Sequence, residues 1–449
     1  MPRTSLAAST RPHRRAVLHE QVRERLFELR EEVPRPAAPR LREHVGEVVV
    51  IASSSRGGSS VLAEALRASG RALHFPAEVN AFLSLADLVY PLTGERSDAL
   101  TADEVNDNAD AWLSEQVGHP ADALTDEPRF ALELAERLTL QWPSVVVTVE
   151  QVAGWMRDTL AELGGTFSDA ALFHARFLAR VHRHDPRVNP YYYDLPGALV
   201  AAHCPEAPPP CGPPSEDFIE EPPFVCVRPW RSATAEEMAS MPLVIKTPSN
   251  VYRLDALRAL FPAARLRIVH LVRNPAGSIN GLIDGWLHHG FFSHQVDLRL
   301  GIRGYSDRFP EWGGSWWKFD LPPGWESCRK ASLVEVCAYQ WRAAHEAILS
   351  FLERNPDISS ECLRFEDLVG SAMRRGQAAS AIGAWMGLPD DDACLRTLRE
   401  GLPPVMATTA PRRRRWEQRA SELLPVLQHP DVMEMVERLG YADDPAAWE

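Results

Sequence analysis

The chain has 449 residues, of which 45% are apolar and 24% charged, and it carries a formal net charge of -13. This balance excludes a fibrous or disordered chain and leaves room for one large α/β domain with insertions or for two ordinary domains. The acidic surplus also excludes general affinity for nucleic acid or an anionic membrane surface, so any anion the protein binds must meet a local cluster of positive charge.

In chain order, residues 1–43 read as an appendage: a charged helix from about Arg15 to Glu32, followed by a Pro-rich linker. The first strand is the β-branched run Val45 to Ala52, of the kind a buried parallel strand needs. Ser53 to Gly58 break that pattern, and Val61, Leu62, Ala65 and Leu66 then recur at helical spacing. A second strand, turn and helix run from Leu243 through Lys246 and Pro248 to Phe261. A third follows at once, with a strand from Leu266 to Val272, the turn Arg273-Asn274-Pro275, and a helix from Ala276 to Leu287. Cys362 to Phe365 is read as a further strand between helices. Repeated βα units predict a doubly wound parallel sheet with helices on both faces.

Two segments interrupt the units. Residues 98–241 read as helices up to about Arg187 and then as a Pro-rich, acidic loop or lid, CPEAPPPCGPPSEDFIEEPPF. Trp286 to Trp325 is aromatic-rich and too irregular for regular elements, and Phe291, Phe292, Tyr305, Trp312, Trp316 and Trp317 are its candidates for a pocket lining, with core packing as the alternative. The seven cysteines contain no CxxC pair and suit free thiols in a reducing compartment. The N-terminus lacks a signal-type apolar run, and no stretch approaches the roughly 20 apolar residues of a membrane span, so a cytoplasmic protein is expected.

The chemistry begins at Ser53-Ser54-Ser55-Arg56-Gly57-Gly58-Ser59-Ser60, between the first strand and its helix. Glycines let successive N–H groups converge, the helix N-terminus adds partial positive charge, and the hydroxyls donate further bonds, which together hold a phosphate. The nucleotide-triphosphate signature GxxxxGK[ST] is absent, and Arg56 carries the charge that a lysine would supply. Here the sequence resembles the superfamily of PAPS-dependent sulfotransferases, whose first turn has a basic residue, a small residue, Gly and two hydroxyl residues, as in Arg56-Gly57-Gly58-Ser59-Ser60. The resemblance implies a P-loop-like fold and a loop that binds the 5′-phosphosulfate of PAPS (3′-phosphoadenosine 5′-phosphosulfate), with Arg56 offsetting charge on the bridging oxygen.

Further along, Phe261-Pro262 through His270-Leu271-Val272-Arg273-Asn274-Pro275 is similar to the family's second signature, which implies that Arg273 binds the donor's 3′-phosphate. Relatives place a serine eight positions later, where this chain has Gly281; Ser278 and Asn280 are the possible substitutes. Arg412-Arg413-Arg414-Arg415-Trp416, with the closing Leu439-Gly440-Tyr441, resembles the late loop by which bacterial relatives close over the nucleotide, and guanidinium groups suit phosphate. Arg364-Phe365-Glu366-Asp367-Leu368 resembles another family segment and is taken as structural.

Sulfuryl transfer requires a base and a cation near sulfur. Many cytosolic relatives use a histidine in a Lys-Thr-His segment, but this chain reads Lys246-Thr247-Pro248, resembling tyrosylprotein and bacterial members with Lys-x-Pro and a glutamate base. By that resemblance Glu78 is the base, His74 its alternate, and Lys246 the stabilising cation. His288, His289 and His294 lack a carboxylate or cysteine set and are not assigned to a metal. The expectation is therefore a sulfotransferase domain over 44–449, with PAPS as co-substrate, PAP as product and a small-molecule acceptor bearing a hydroxyl or, second, an amine. Residues 98–241 would form its acceptor-side cap. A kinase-like phosphoryl transferase and a non-catalytic anion binder are the alternatives.

Overall fold

A computed structural model describes residues 6–121, 123–214, 217–402, 412–442 and 448. Residues 1–5 of the N-terminal segment therefore lie outside the described residues. The elements used below are α1 (Leu6–Glu32), β1 (Glu47–Ala52), α2 (Ser59–Arg67), the insertion helices α3 (Glu127–Gln141), α4 (Val149–Glu162) and α5 (Ala170–His184), β2 (Leu243–Ile245), α6 (Leu254–Leu260), β3 (Arg265–Val272), α7 (Pro275–Leu287), α8 (Leu333–Arg354), β4 (Ser359–Arg364) and α9 (Ala372–Met386).

The four strands form one parallel sheet in the order β2-β1-β3-β4, with Val49 opposite both Val244 and Arg267, and Val269 opposite Glu361. Alternation along β1 sorts its residues into two cores. Val48, Val50 and Ala52 join Leu243, Ile268, Leu257 of α6 and Phe351 of α8 on one face. Val49 and Ile51 join Val244, Leu271, Leu62 and Leu66 of α2 and Ile382 of α9 on the other. A strand covered on both faces must be apolar throughout, which is why β1 reads as an unbroken β-branched run. The doubly wound parallel sheet expected from the βα units is the observed architecture.

Two expectations need amendment. The N-terminal helix does not stand apart: Val22 and Leu26 enter the main core and Leu29 the core of the insertion, while Arg30 Nε donates to Glu136 Oε1 at 2.7 Å. Three apolar residues spaced along one face were masked in the sequence by the charges around them. Within the aromatic segment, His294–Gln295 pairs antiparallel with Trp316–Trp317, and Trp286, Tyr305, Trp317 and Trp325 build a core of their own against α7 and α8. The insertion has a separate aromatic core, with Phe130, Trp142, Phe173 and Phe177 contributed by α3, α5 and the turn after α3.

One buried polar network ties these parts together. Arg253 donates from Nε to the Asp98 carbonyl at 2.7 Å and from Nη2 to Asp98 Oδ1 at 3.0 Å, and the Leu321 amide donates to Asp98 Oδ2 at 2.7 Å. His294 Nε2 stands 3.3 Å from the same Oδ2. Burial alone would raise the Asp98 carboxyl, but His294 and Arg253 hold it well below the ordinary range. Removing one member leaves the others buried and uncompensated, so Asp98→Ala should cost about 3–5 kcal/mol of stability in urea unfolding. Because the folded value is depressed, Asp98 contributes its full stabilisation above about pH 4 and loses it on acidification, so the acid limb of the stability profile should flatten in the variant.

Candidate active site

At the C-terminal end of β1 the chain turns through three buried serines into Arg56, whose φ is 63°, and Gly58, whose φ is 100°. The glycines are required sterically. A Cβ on Gly57 would lie 2.1 Å from Ser53 Oγ, and one on Gly58 would lie 2.2 Å from Phe365 Cδ2. The helix α2 then starts with no side chain capping its first turn, which leaves its amides directed at a ligand position. Ser55 Oγ donates to Asp320 Oδ1 at 2.5 Å, and Tyr252 donates to Asp320 Oδ2 at 2.8 Å, so the aromatic segment anchors the loop.

Arg273 closes β3 beside this loop, donating from Nη1 to the Arg56 carbonyl at 3.0 Å and lying 4.7 Å over the Phe365 ring. Its turn is held from behind. Glu366 Oε1 accepts from the Asn274 amide at 3.0 Å and from Asn274 Nδ2 at 2.7 Å, and Glu366 Oε2 accepts from the Tyr441 hydroxyl at 2.8 Å. The Arg364–Leu368 segment thus positions the Arg273 turn, a role that its sequence did not disclose. Burial pushes the Arg56 guanidinium down to about 10, with Arg273 and Arg415 adding repulsion and Asp284 opposing it. Burial also lowers Arg273. Cations that depress one another in a shared cavity form a site for an anion.

The last arginine segment reaches the same place. Arg412, Arg413, Arg414 and Arg415 all line the cavity, and Asp284 of α7 pairs with both Arg415 and Arg419, the latter at 2.7 Å. Of the residues proposed to replace the missing serine, Ser278 is fully buried and does not line the cavity, because it points into the packing of α7. Asn280 does line it, with Oδ1 accepting from Arg419 at 2.6 Å. Gly281 lies beside both arginines: a Cβ there would make ordinary contact, 3.4 Å from Arg56 Cβ and 4.0 Å from Arg273 Nη1.

The cavity has a volume of about 690 Å³, and the other candidates line it too. Lys246, at the end of β2, is ion-paired with Glu78, and their side chains are 14% and 42% exposed. His74 is only 2% exposed, and burial, Arg67 and His119 push its imidazole down to about 3, which keeps it neutral. Of the six aromatics named as pocket candidates, Phe291 lines the cavity, joined by Phe319; the other five pack in the cores because the segment folds back on itself. Sequence reasoning missed Asp320, Asp194, Glu220 and Glu221, which also line it. The last two stand in the acidic Pro-rich stretch, and that composition was their only signal. Among the described residues, no group of His, Cys, Asp or Glu is arranged to hold a metal ion. All seven cysteines are free, and no described helix is long and apolar enough to cross a membrane.

The model of the sulfotransferase family matches residues 48–306, more than half of the chain. The chain belongs to the sulfotransferase family. The matched region of this sulfotransferase contains the Arg56 loop, Glu78, Lys246 and Arg273, while the C-terminal arginines fall beyond it. Among solved structures, the sulfotransferase domain of the olefin synthase of Synechococcus PCC 7002 is 13% identical, covering 89% of this chain and 97% of that one with a TM-score of 0.33. The sulfotransferase domain of the curacin biosynthetic pathway is 13% identical, with 89% and 99% covered and a TM-score of 0.35. Sulfotransferase STF9 from Mycobacterium avium is 12% identical, with 93% and 81% covered and a TM-score of 0.33. No match was found among curated proteins. The steric reading of the loop gives a direct expectation: Gly58→Ala should lose about 1–3 kcal/mol, seen as a lower thermal midpoint, because it adds backbone strain to a clash with Phe365.

Proposed function

We propose that this sulfotransferase moves a sulfuryl group from PAPS to a hydroxyl of a small-molecule acceptor. The observation that carries the reading is that Arg56, Arg273 and Arg412 to Arg415 line the same cavity as the Glu78 and Lys246 ion pair. The Ser59 and Ser60 turn, with Gly57 and Gly58 giving it shape, takes the 5′-phosphosulfate, Arg273 takes the 3′-phosphate, and Arg413, Arg414 and Arg415 cover the nucleotide. Guanidinium forks suit this task because each can bond two phosphate oxygens. Binding an anion there would also relieve the mutual repulsion of Arg56, Arg273 and Arg415.

In the transfer step the acceptor oxygen attacks sulfur, the bond from sulfur to the bridging phosphate oxygen breaks, and PAP leaves. Arg56 offsets the charge that grows on that bridging oxygen, and Lys246 offsets charge on the transferring group. Glu78 accepts the hydroxyl proton. Its present partner, Lys246, would turn toward the sulfuryl oxygens once the donor is bound, releasing the carboxylate. His74 suits the base role less, since burial has already made its protonated form unfavourable. Residues 98–241 serve as the acceptor-side cap, a reading supported by Asp194 and Glu220 to Pro223 on the cavity wall. The seven free thiols suit a reducing compartment such as the cytoplasm. The absent GxxxxGK[ST] lysine makes the kinase-like alternative the weaker reading.

Calorimetry with PAP against ATP and Mg²⁺ tests the donor: PAP should bind and ATP should bind more weakly, and the reverse order would overturn the proposal. In the same titration Arg273→Ala should weaken PAP roughly tenfold to a hundredfold, as expected for a lost charge-assisted contact to phosphate. Glu78→Gln should leave PAP affinity within about twofold while slowing transfer by about 10²–10⁴, the usual range for a general base.

A further inference from the structure

When Lys246 turns toward the sulfuryl oxygens, Glu78 loses its anchor, because among the described residues Lys246 is the one side chain bonded to that carboxylate. The Glu78 side chain is also 42% exposed, so packing does not fix it. With the donor bound, the base is placed by its backbone alone. Whatever holds residues 78–80 therefore decides where the proton acceptor stands.

Two buried residues on either side of the turn that follows β2 hold that span. The Val79 amide donates to Thr247 Oγ1 at 3.1 Å, and the same hydroxyl donates to the Lys246 carbonyl at 2.9 Å. A single oxygen thus ties the segment carrying Glu78 to the strand end carrying Lys246, with its proton and a lone pair both engaged. Thr247 stands immediately before the turn Pro248–Tyr252, where a threonine hydroxyl ordinarily accepts from the turn's own amides, yet it makes no such bond. The hydroxyl serves the neighbouring segment instead. At the other end of the turn, Arg253 Nη1 donates to Asn80 Oδ1 at 2.7 Å, and Arg253 is itself bound to Asp98. Residues 79 and 80 are pinned by one turn, the turn that also follows Lys246.

We propose that Thr247 is a positioning residue for the general base, its hydroxyl holding the Glu78 backbone where the carboxylate can take the acceptor's proton after Lys246 has turned away. This deepens the sulfuryl-transfer reading and rests on it. Thr247 is 1% exposed and does not line the cavity, whereas Lys246 and Pro248 on either side of it do, so it acts through Glu78 and not on a ligand. The effect belongs to the hydroxyl. Valine has nearly the same shape but offers the Val79 amide no acceptor, and a buried amide left unmet shifts toward another partner and takes Glu78 with it. Serine keeps the oxygen and so keeps the bond.

The test follows PAP released from PAPS by the full chain with 4-ethylphenol, glucose or water as acceptor, and measures PAP affinity by calorimetry. Thr247→Val should slow release about tenfold to a hundredfold, the scale of a misplaced catalytic group, with PAP affinity held within about twofold. Thr247→Ser should recover most of the lost rate. The deciding comparison is a cycle with Glu78→Gln. A residue that acts only through the base costs less than about twofold once the base is gone, whereas a merely structural one slows both backgrounds alike. An unaltered rate in Thr247→Val, equal slowing in both backgrounds, no recovery with serine, or lost PAP affinity overturns the proposal. If the valine variant does not fold, Thr247→Ala carries the same comparison with serine. Full-speed release by Glu78→Gln, or no release by the unaltered chain with any of the three acceptors, overturns instead the transfer reading beneath it.

Discussion

Guanidinium groups brought together in a partly buried cavity repel one another and lose hydration, and Arg56, Arg273 and Arg415 line one cavity here. Much of the surrounding structure compensates that arrangement. Asp284 supplies the opposing charge, pairing with Arg415 and Arg419 from the last turn of α7. Phe365 offers its ring face to Arg273, and the Arg56 carbonyl accepts from the same guanidinium. Glu366, fixed by Tyr441 and Asn274, keeps the turn in register. The net charge of -13 sets this cluster of arginines against an acidic background.

One cavity holds groups of both signs. Arginines and an uncapped helix start line it together with carboxylates, and the Glu78 and Lys246 ion pair stands among them. Charges of both signs around one space orient what binds there, and orientation is much of what sulfuryl transfer asks of a protein. The aromatic segment contributes from below: Asp320 holds Ser55, and the backbone beside it, at Leu321, holds Asp98. The loop, the insertion and the sheet are thereby joined through buried polar bonds, and apolar contact alone does not define their arrangement.

The parallel sheet, its first three strands and the Gly-Gly turn were legible because each is encoded locally, whereas the fourth strand, read as Cys362 to Phe365, runs Ser359–Arg364 because its polar first half carries no apolar signal. A β-branched run, a Gly-Gly turn and a helical period are properties of consecutive residues, and Arg56 and Arg273 stand at strand ends where α/β sites gather. The Trp286–Trp325 segment was opaque for the opposite reason. Its aromatics are as compatible with a pocket as with a core, and only chain reversal at His294–Gln295 and Trp316–Trp317 turned most of them inward. The N-terminal helix was misread as an appendage because three buried apolar residues scarcely alter a strongly charged sequence.

By itself, then, the sequence determined where the Gly-Gly turn after the first strand lies, the arginines at two βα turns and the run of four more, all recognisable from neighbours in the chain. Only the tertiary structure decided the rest. It showed Gly281 lying beside Arg56 and Arg273, Ser278 buried away from the cavity lining, and Glu366 holding the Arg273 turn. It also brought Glu221 and Asp194 from the insertion to face Glu78 and Lys246 across residues far apart in the chain. The physical reason is range. Backbone conformation and helix periodicity act over a few residues, whereas burial, clearance and the summed field of charges depend on which distant segments the fold brings together.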